Sequence, residues 1–191
     1  METAFNIALG ISLSAACGFR VFVPLLIMSV AAHTGHLTVS PGFEWIGSLG
    51  AIIVLGTATI VEVLAYYVPW LDHLLDMVAT PAAVVAGVVA SASAFTDMSP
   101  LLKWTLALIG GGGIAGIVQG ATVLTRIKST ALTGGLGNPV VSTAELAGSV
   151  ATAILAILAP VLCIMVIAVG LYAVFRMTGR MLFGRRRTQT S

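Results

Sequence analysis

The sequence predicts an all-α fold, a polytopic transmembrane bundle of about six helices, and three observations predict it. Of the 191 residues, 58% are hydrophobic and only 8% are charged, against roughly 25% charged in an ordinary soluble domain. Mean hydropathy is +1.07. Apolar runs of about 20 residues recur along the whole length, and each is long enough to cross a hydrocarbon core about 30 Å thick. No stretch is left over for a soluble domain. The expected organisation is one transmembrane domain over 1–184, followed by a basic cytoplasmic tail at 185–191.

The first helix is expected at 5–32. Its start, "METAFNIALG", carries Glu2 and no basic residue, so it lacks the positive region of a secretory signal peptide and reads as retained. Cys17 here and Cys163 later both lie in apolar runs, where they behave as small hydrophobes. Arg20 lies about midway along this helix, in "CGFRVFVP". An ionisable residue near the bilayer centre costs about 2.5–3.5 kcal/mol on insertion scales. Arg20 therefore needs either an ion-pair partner on another helix or a role in binding an anionic group or lining a polar path. His33 and His36, in the loop near Trp45, read as interfacial.

The second helix is expected at 45–68 and carries Glu62 about two turns before Pro69. The third, at 74–95, follows "PWLDHLLDM", where Asp72 and Asp76 stand at i and i+4 on one helix face, about 6 Å apart at Cβ. Such a pair either favours protonation of one carboxylate or holds a cation between them. Asp72 also suits a helix start, where it complements the dipole. Asp76 and Glu62, deeper in apolar sequence, read as members of a polar site. His73 points away from the face shared by 72 and 76, so no metal site is expected there.

The fourth helix, 104–127, contains "GGGG" at 110–113, which should loosen it locally. The fifth is expected at 143–159 with Ser142 or Thr143 as its cap and Glu145 in its first turn. The sixth is expected at 161–179. Pro160 between them either separates two helices or kinks one, and a single helix over both would be about 54 Å long, beyond a tilted span.

Arg176, Arg180 and the 185–187 arginines place the C-terminus in the cytoplasm, and Arg126 with Lys128 place the end of the fourth helix there too. Six helices satisfy both and put both termini inside. Small residues repeat at Gly10, Ser14 and Gly18 and again at Gly112, Gly116 and Gly120, and "EWIGS" at 44–48 resembles "ELAGS" at 145–149. The two offsets nearly agree, which suggests inverted three-helix repeats over 5–95 and 104–179. Inverted repeats recur in transporters. The same glycines also read as close-packing faces, and they suit a homodimer.

Between the fourth and fifth helices, "STALTGGLGNPVVSTAEL" gathers Gly134, Gly135, Gly137 and Asn138-Pro139. The glycines permit positive φ, and the proline disfavours helix at the residue before it. The segment reads either as a surface turn or as a re-entrant segment with free backbone groups, tolerated at depth only where it is buried in protein or lines water.

Together, "GFRVFVP", "VEVLAYYVPWLDHLLD" and "STALTGGLGNPVVSTAE" resemble a bacterial family of small polytopic membrane proteins of unknown function, over nearly the whole chain. The resemblance implies that Arg20, Glu62, Pro69, Asp72, Asp76, Gly134, Gly135, Gly137, Asn138, Pro139 and Glu145 are characteristic positions, and it implies a bacterial inner membrane. Similar proteins often carry a lysine shortly before the proline and a histidine before the threonine of the third helix, where this chain has Tyr67 and Ala79.

No Walker-type loop, HExxH, GxSxG or metal-spaced Cys/His cluster is present. The hydroxyls at depth, Ser12, Ser14, Ser91 and Ser93, have no histidine beside them, so no enzyme and no cofactor is expected. Nor is a nucleic-acid partner. The leading expectation is a secondary transporter or channel for a small ion or polar solute, its path lined by Arg20, Glu62, Asp72, Asp76, Glu145 and the backbone of Gly134–Asn138. The alternative is a membrane protein for lipid handling or scaffolding, whose polar residues are structural ion pairs and whose basic tail meets anionic headgroups.

Overall fold

In the computed structural model of the chain the described residues are 2–68 and 71–183, with 71–73, 174–175 and 177–183 described by backbone alone. Among them no strand occurs. The helices are α1 (Glu2–Phe19), α2 (Phe22–His33), α3 (Leu49–Ala65), α4 (Leu71–Ala94), α5 (Pro100–Thr133), α6 (Asn138–Leu158) and α7 (Pro160–Phe183). Four segments are long and apolar enough to cross a membrane: α1, Leu74–Ala94 of α4, α5 and α6. The basic tail expected at 185–191 lies outside the described residues.

The number and course of the helices correct the six-helix expectation. The run at 5–32 is two helices, interrupted at Arg20 and Val21. Contacts fix their directions. Asn6 Nδ2 donates to Thr96 Oγ1 at 2.8 Å, and Ser14 Oγ donates to the Gly87 carbonyl at 2.6 Å, so α1 runs antiparallel to α4. Along α2, Val21 meets Glu62, Leu26 meets Gly56 and Ala32 meets Gly47, so α2 runs antiparallel to α3. Met28 meets Ser93, while Val21 and Ala79 line one groove, so α2 runs parallel to α4. Helices α1 and α2 are therefore a hairpin with Arg20 at its tip. The loop after α2 returns to the N-terminal end, where Glu2, Asn6, His36, Asp97 and Val161 line one pocket. Helix α7 runs from that end to the hairpin tip, where Gly170 and Leu171 line a pocket with Phe19 and Glu145, so α1 starts and α7 finishes at opposite ends of the bundle.

Elsewhere the breaks obey local chemistry. A 3₁₀ turn at Glu44–Gly47 precedes α3, whose Ser48 cap accepts from the Ala51 N–H at 3.1 Å. The glycine run of α5 relaxes into a π-helical stretch over Ala107–Gly112. Pro160 opens a new helix after Ala159, which leaves helical geometry at φ −151°. The suggested repeat pairs unlike structures: "EWIGS" is the 3₁₀ turn and cap before α3, whereas "ELAGS" lies in the interior of α6.

Small residues fill the interior, among them Ala15, Ala16, Ala83, Ala92 and Ala153, while Ile53, Leu64, Leu101, Ile109 and Val169 face outward. In lipid this inversion is sensible. Apolar burial gains little against acyl chains, so association rests on close backbone approach and interhelical hydrogen bonds. The expected glycine face of α1 is consumed here. A Cβ on Gly10 would sit 2.6 Å from the Phe95 ring and one on Gly18 2.6 Å from the Ala115 carbonyl oxygen. That face is not available for a homodimer. Gly18→Leu should accordingly cost about 1–3 kcal/mol by overpacking, whereas Gly120→Ala, with nothing within 4 Å of the added carbon, should be neutral or slightly stabilising. Thermal unfolding in detergent separates the two.

Candidate functional site

The hairpin tip begins with a proline. Pro24 has no N–H to offer the Arg20 carbonyl four residues earlier, and its ring crowds that carbonyl, so one continuous helix is disfavoured at that point. Helix α1 ends with the Arg20 N–H on the Ala16 carbonyl at 3.2 Å. The first N–H groups of α2 then need acceptors inside the bundle, where Val21 is buried. Glu62 of α3 supplies them: its Oε1 accepts from the Val21 N–H at 2.8 Å and its Oε2 from the Phe22 N–H at 3.0 Å. A carboxylate at this position also meets the positive end of the α2 dipole.

Around this tip the bundle assembles a charged centre. Arg20 is 1% exposed, and its Nη2 donates to the Ser142 carbonyl at 2.9 Å and to the Ser142 hydroxyl. The same nitrogen stands 3.7 Å from Glu145 Oε2. Arg126 of α5 closes the network: its Nε donates to Glu145 Oε1 at 3.1 Å, its Nη2 to the other Glu145 oxygen, and its Nη1 to Asp76 Oδ1 at 2.8 Å. The Tyr66 ring lies between the two guanidiniums, 4.0 Å from Arg20 Cζ and 3.9 Å from Arg126 Cζ, and its hydroxyl donates to Asp76 Oδ1 at 3.3 Å. Stacking on an aromatic face suits the weakly hydrated, planar guanidinium. Four helices and the hairpin tip thus contribute to one centre of two arginines and three carboxylates. It lies about 10 Å inside the end of the bundle, since α5 runs only two turns beyond Arg126.

Of the residues expected to line a path, Arg20, Glu62, Asp76 and Glu145 converge. Arg20 is paired with Glu145 and Ser142, whereas Glu62 serves the α2 backbone. Asp72 belongs to the first turn of α4, and its side chain lies outside the described residues. Among the described residues no hydrogen bond joins Gly134, Gly135 or Gly137 to these side chains. Gly134 and Gly135, at φ 62° and 92°, form a tight turn between α5 and α6 at the end of the bundle. Gly137 donates its N–H to Thr133 Oγ1 at 2.9 Å. Asn138 is the first residue of α6, not an extended residue ahead of it, and its Nδ2 donates to Thr130 Oγ1 at 3.0 Å. Helix α6 therefore starts before Ser142 and Thr143, which do not cap it, and Glu145 lies beyond its first turn. Broken backbone at depth occurs at 20–21 instead of 129–142.

Sequence reasoning missed three members of the centre. Arg126 reads in the sequence only as a marker of orientation, Ser142 only as a cap, and Tyr66 carries no expectation. Each had a helical-spacing signal: Gln119, Thr122 and Arg126 form a polar stripe on α5, Tyr66 comes four residues after Glu62, and Ser142 precedes Glu145 by three. The two departures from the resembled pattern are also placed. Tyr67 hydrogen-bonds through its hydroxyl to Thr143 Oγ1 at 2.9 Å, and Ala79 lines an apolar groove beside the centre.

That groove, of about 530 Å³, opens between α2, α3 and α4 and is lined by Val21, Phe22, Ile53, Val54, Val61, Glu62, Tyr66, Leu75, Val78 and Ala82 among others. Its walls are apolar apart from Thr57, Glu62 and Tyr66. Among the described residues no cluster of His, Cys, Asp or Glu has the arrangement of a metal site.

Residues 7–180 match the model of a family described as a domain of unknown function, DUF4126. No curated protein matches the chain, and no solved structure does. The chain belongs to the DUF4126 family.

Proposed function

We propose that this DUF4126 protein is a small secondary transporter or channel for an ion or polar solute, with the hairpin tip as its central site. The observation that carries this reading is the interruption at Arg20 and Val21, where main-chain groups are satisfied by a carboxylate from another helix. Helices broken at depth, with charged groups at the break, are the usual construction of a transporter's binding point. Asp76, the least buried of the three carboxylates at 17% side-chain exposure, is suited to exchange a coupling proton or cation. Arg126, Lys128 and Arg176 gather toward the hairpin-tip end of the bundle, and we orient that end to the cytoplasm.

Ion and proton flux into proteoliposomes, measured with pH- and potential-sensitive dyes across a panel of salts, tests the proposal. Asp76→Asn and Glu62→Gln are expected to reduce flux at least about tenfold, the effect typical of losing a proton-transfer group. Normal flux in both variants would remove the carboxylates from the path. Absence of flux for every salt would favour lipid handling, a reading supported by the apolar groove.

A further inference from the structure

Two arginines face three carboxylates at the centre, and Glu62 is the acid left over. Arg126 pairs with Glu145 and Asp76, and Arg20 stands against Glu145. Among the described residues Glu62 has no ion pair, and its oxygens accept from the Val21 and Phe22 N–H groups. Those amides and the α2 dipole offset part of its charge and aim the carboxylate. They use two of its roughly four lone-pair positions and leave the others open. Glu62 is only 6% exposed, and a buried charge without a counter-charge is costly. What it does expose borders the 530 Å³ groove, of which it is the only charged lining residue among those described. The groove has the volume and the mostly apolar walls of a small-molecule site. Ile53, Val54, Val61 and Val78 on those walls are exposed at the bundle surface, so the groove opens sideways.

We propose that the groove binds a lipophilic organic cation, its charge against Glu62 and its apolar body along Ile53, Val54, Leu75, Val78 and Ala82. The charge of the ligand supplies the counter-ion that Glu62 lacks, so a cation is selected over an anion of the same shape. A hard metal ion does not suit the same place. It needs about six oxygen ligands, and beyond Glu62 the groove offers only the hydroxyls of Thr57 and Tyr66, which donate to the Ile53 carbonyl and to Asp76. The Tyr66 ring is taken by the two guanidiniums, which leaves Phe22 as the aromatic side chain on the wall free to face a weakly hydrated cation. The inference rests on the transport reading for the fate of the bound molecule, since it names the substrate class of the same site.

Equilibrium dialysis of radiolabelled tetraphenylphosphonium against the full chain in nanodiscs of zwitterionic lipid, with empty nanodiscs as blank, tests it. Wild-type protein should bind the cation saturably. Tetraphenylborate, of nearly the same shape and opposite charge, should show no saturable binding, and excess sodium should not displace the cation. Glu62→Gln keeps the size of the side chain and an acceptor for the amides but loses the charge, and should weaken binding at least about tenfold. Ala58→Phe fills the groove one turn before Glu62 and should abolish binding. Equal binding of the borate would reduce the groove to apolar partition, and displacement by sodium would make it a site for a hard ion. Undiminished binding in Glu62→Gln would take the carboxylate out of the site, and undiminished binding in Ala58→Phe would take the groove out of it. Each of these overturns the proposal, as does an absence of saturable binding in wild type. Should Glu62→Gln not fold, the contrast of cation with borate and the loss in Ala58→Phe decide alone. Saturable binding without uptake of the cation by proteoliposomes would discard transport and keep the site. Ion flux in a protein that binds no cation, unchanged in Ala58→Phe, would keep transport and discard the site.

Discussion

Glu145→Ala is expected to lower the unfolding free energy by about 3–5 kcal/mol, the usual loss when one partner of a buried ion pair is removed. Glu145 engages two nitrogens of Arg126 and stands 3.7 Å from Arg20, so its removal leaves two guanidiniums stacked on one tyrosine, Arg126 with Asp76 as its remaining ion-pair partner and Arg20 with none among the described residues. The penalty is mostly desolvation: each cation stays out of water and loses the group that compensated for it. A cycle of Glu145→Leu, Arg126→Met and their combination measures this directly. The double variant should lose less than the sum of the singles, because well-packed apolar replacements of a buried pair are often close to neutral. Additive losses, or a single-variant loss below about 1 kcal/mol, would mean a centre that water reaches freely. Unfolding in mixed micelles, monitored by circular dichroism, supplies the numbers.

The second large effect is expected at Glu62. Glu62→Ala strips the acceptors from the Val21 and Phe22 N–H groups, and hydrogen bonds to a charged partner are worth about 1.5–3 kcal/mol each. Pro24 keeps α1 and α2 from fusing into one helix to recover them. The loss should concentrate at the hairpin tip, as amide hydrogen exchange at Val21 and Phe22 at least tenfold faster than in wild type, while α5 and α6 keep their protection. Unchanged exchange at those two amides would mean that Glu62 does not cap α2. Unlike the Glu145 variant, Glu62→Ala should leave the stacked arginines intact, since no ion pair joins them to Glu62 among the described residues.

Much of the helical layout was legible in the chain, because helix length and breakers act locally. The ends of α4 and α6 fell within one residue of expectation while their starts came three and five residues early, and Pro160 separates two helices as its missing N–H and the length argument require. The glycine run of α5 loosened where Gly lowers helix propensity. The break at Arg20 is legible in principle too, since Pro24 comes four residues later. Hydropathy conceals it, because the apolar run continues on both sides and does not report chain direction. The glycine loop misleads in the opposite sense. Its turn chemistry is strong, yet Gly134 and Gly135 spend their positive φ on a short connection at the end of the bundle.

The sequence by itself determined that this is a helical protein of membrane character, where most of its helices lie, and that Arg20, Glu62, Asp76 and Glu145 need partners or a purpose at depth. Only the tertiary structure decided that α2 folds back along α1, that Arg20 is held by Ser142 and Glu145 across 122 and 125 positions of sequence, and that Glu62 caps a helix other than its own. The reason is physical. Helix formation in lipid is set by nearest neighbours, because each backbone group must be satisfied within its own segment. Which faces then meet is set by the fit of small residues such as Gly10 and Gly18 against α4 and α5, and by where each buried charge finds its counter-charge, and both depend on residues far apart in the chain.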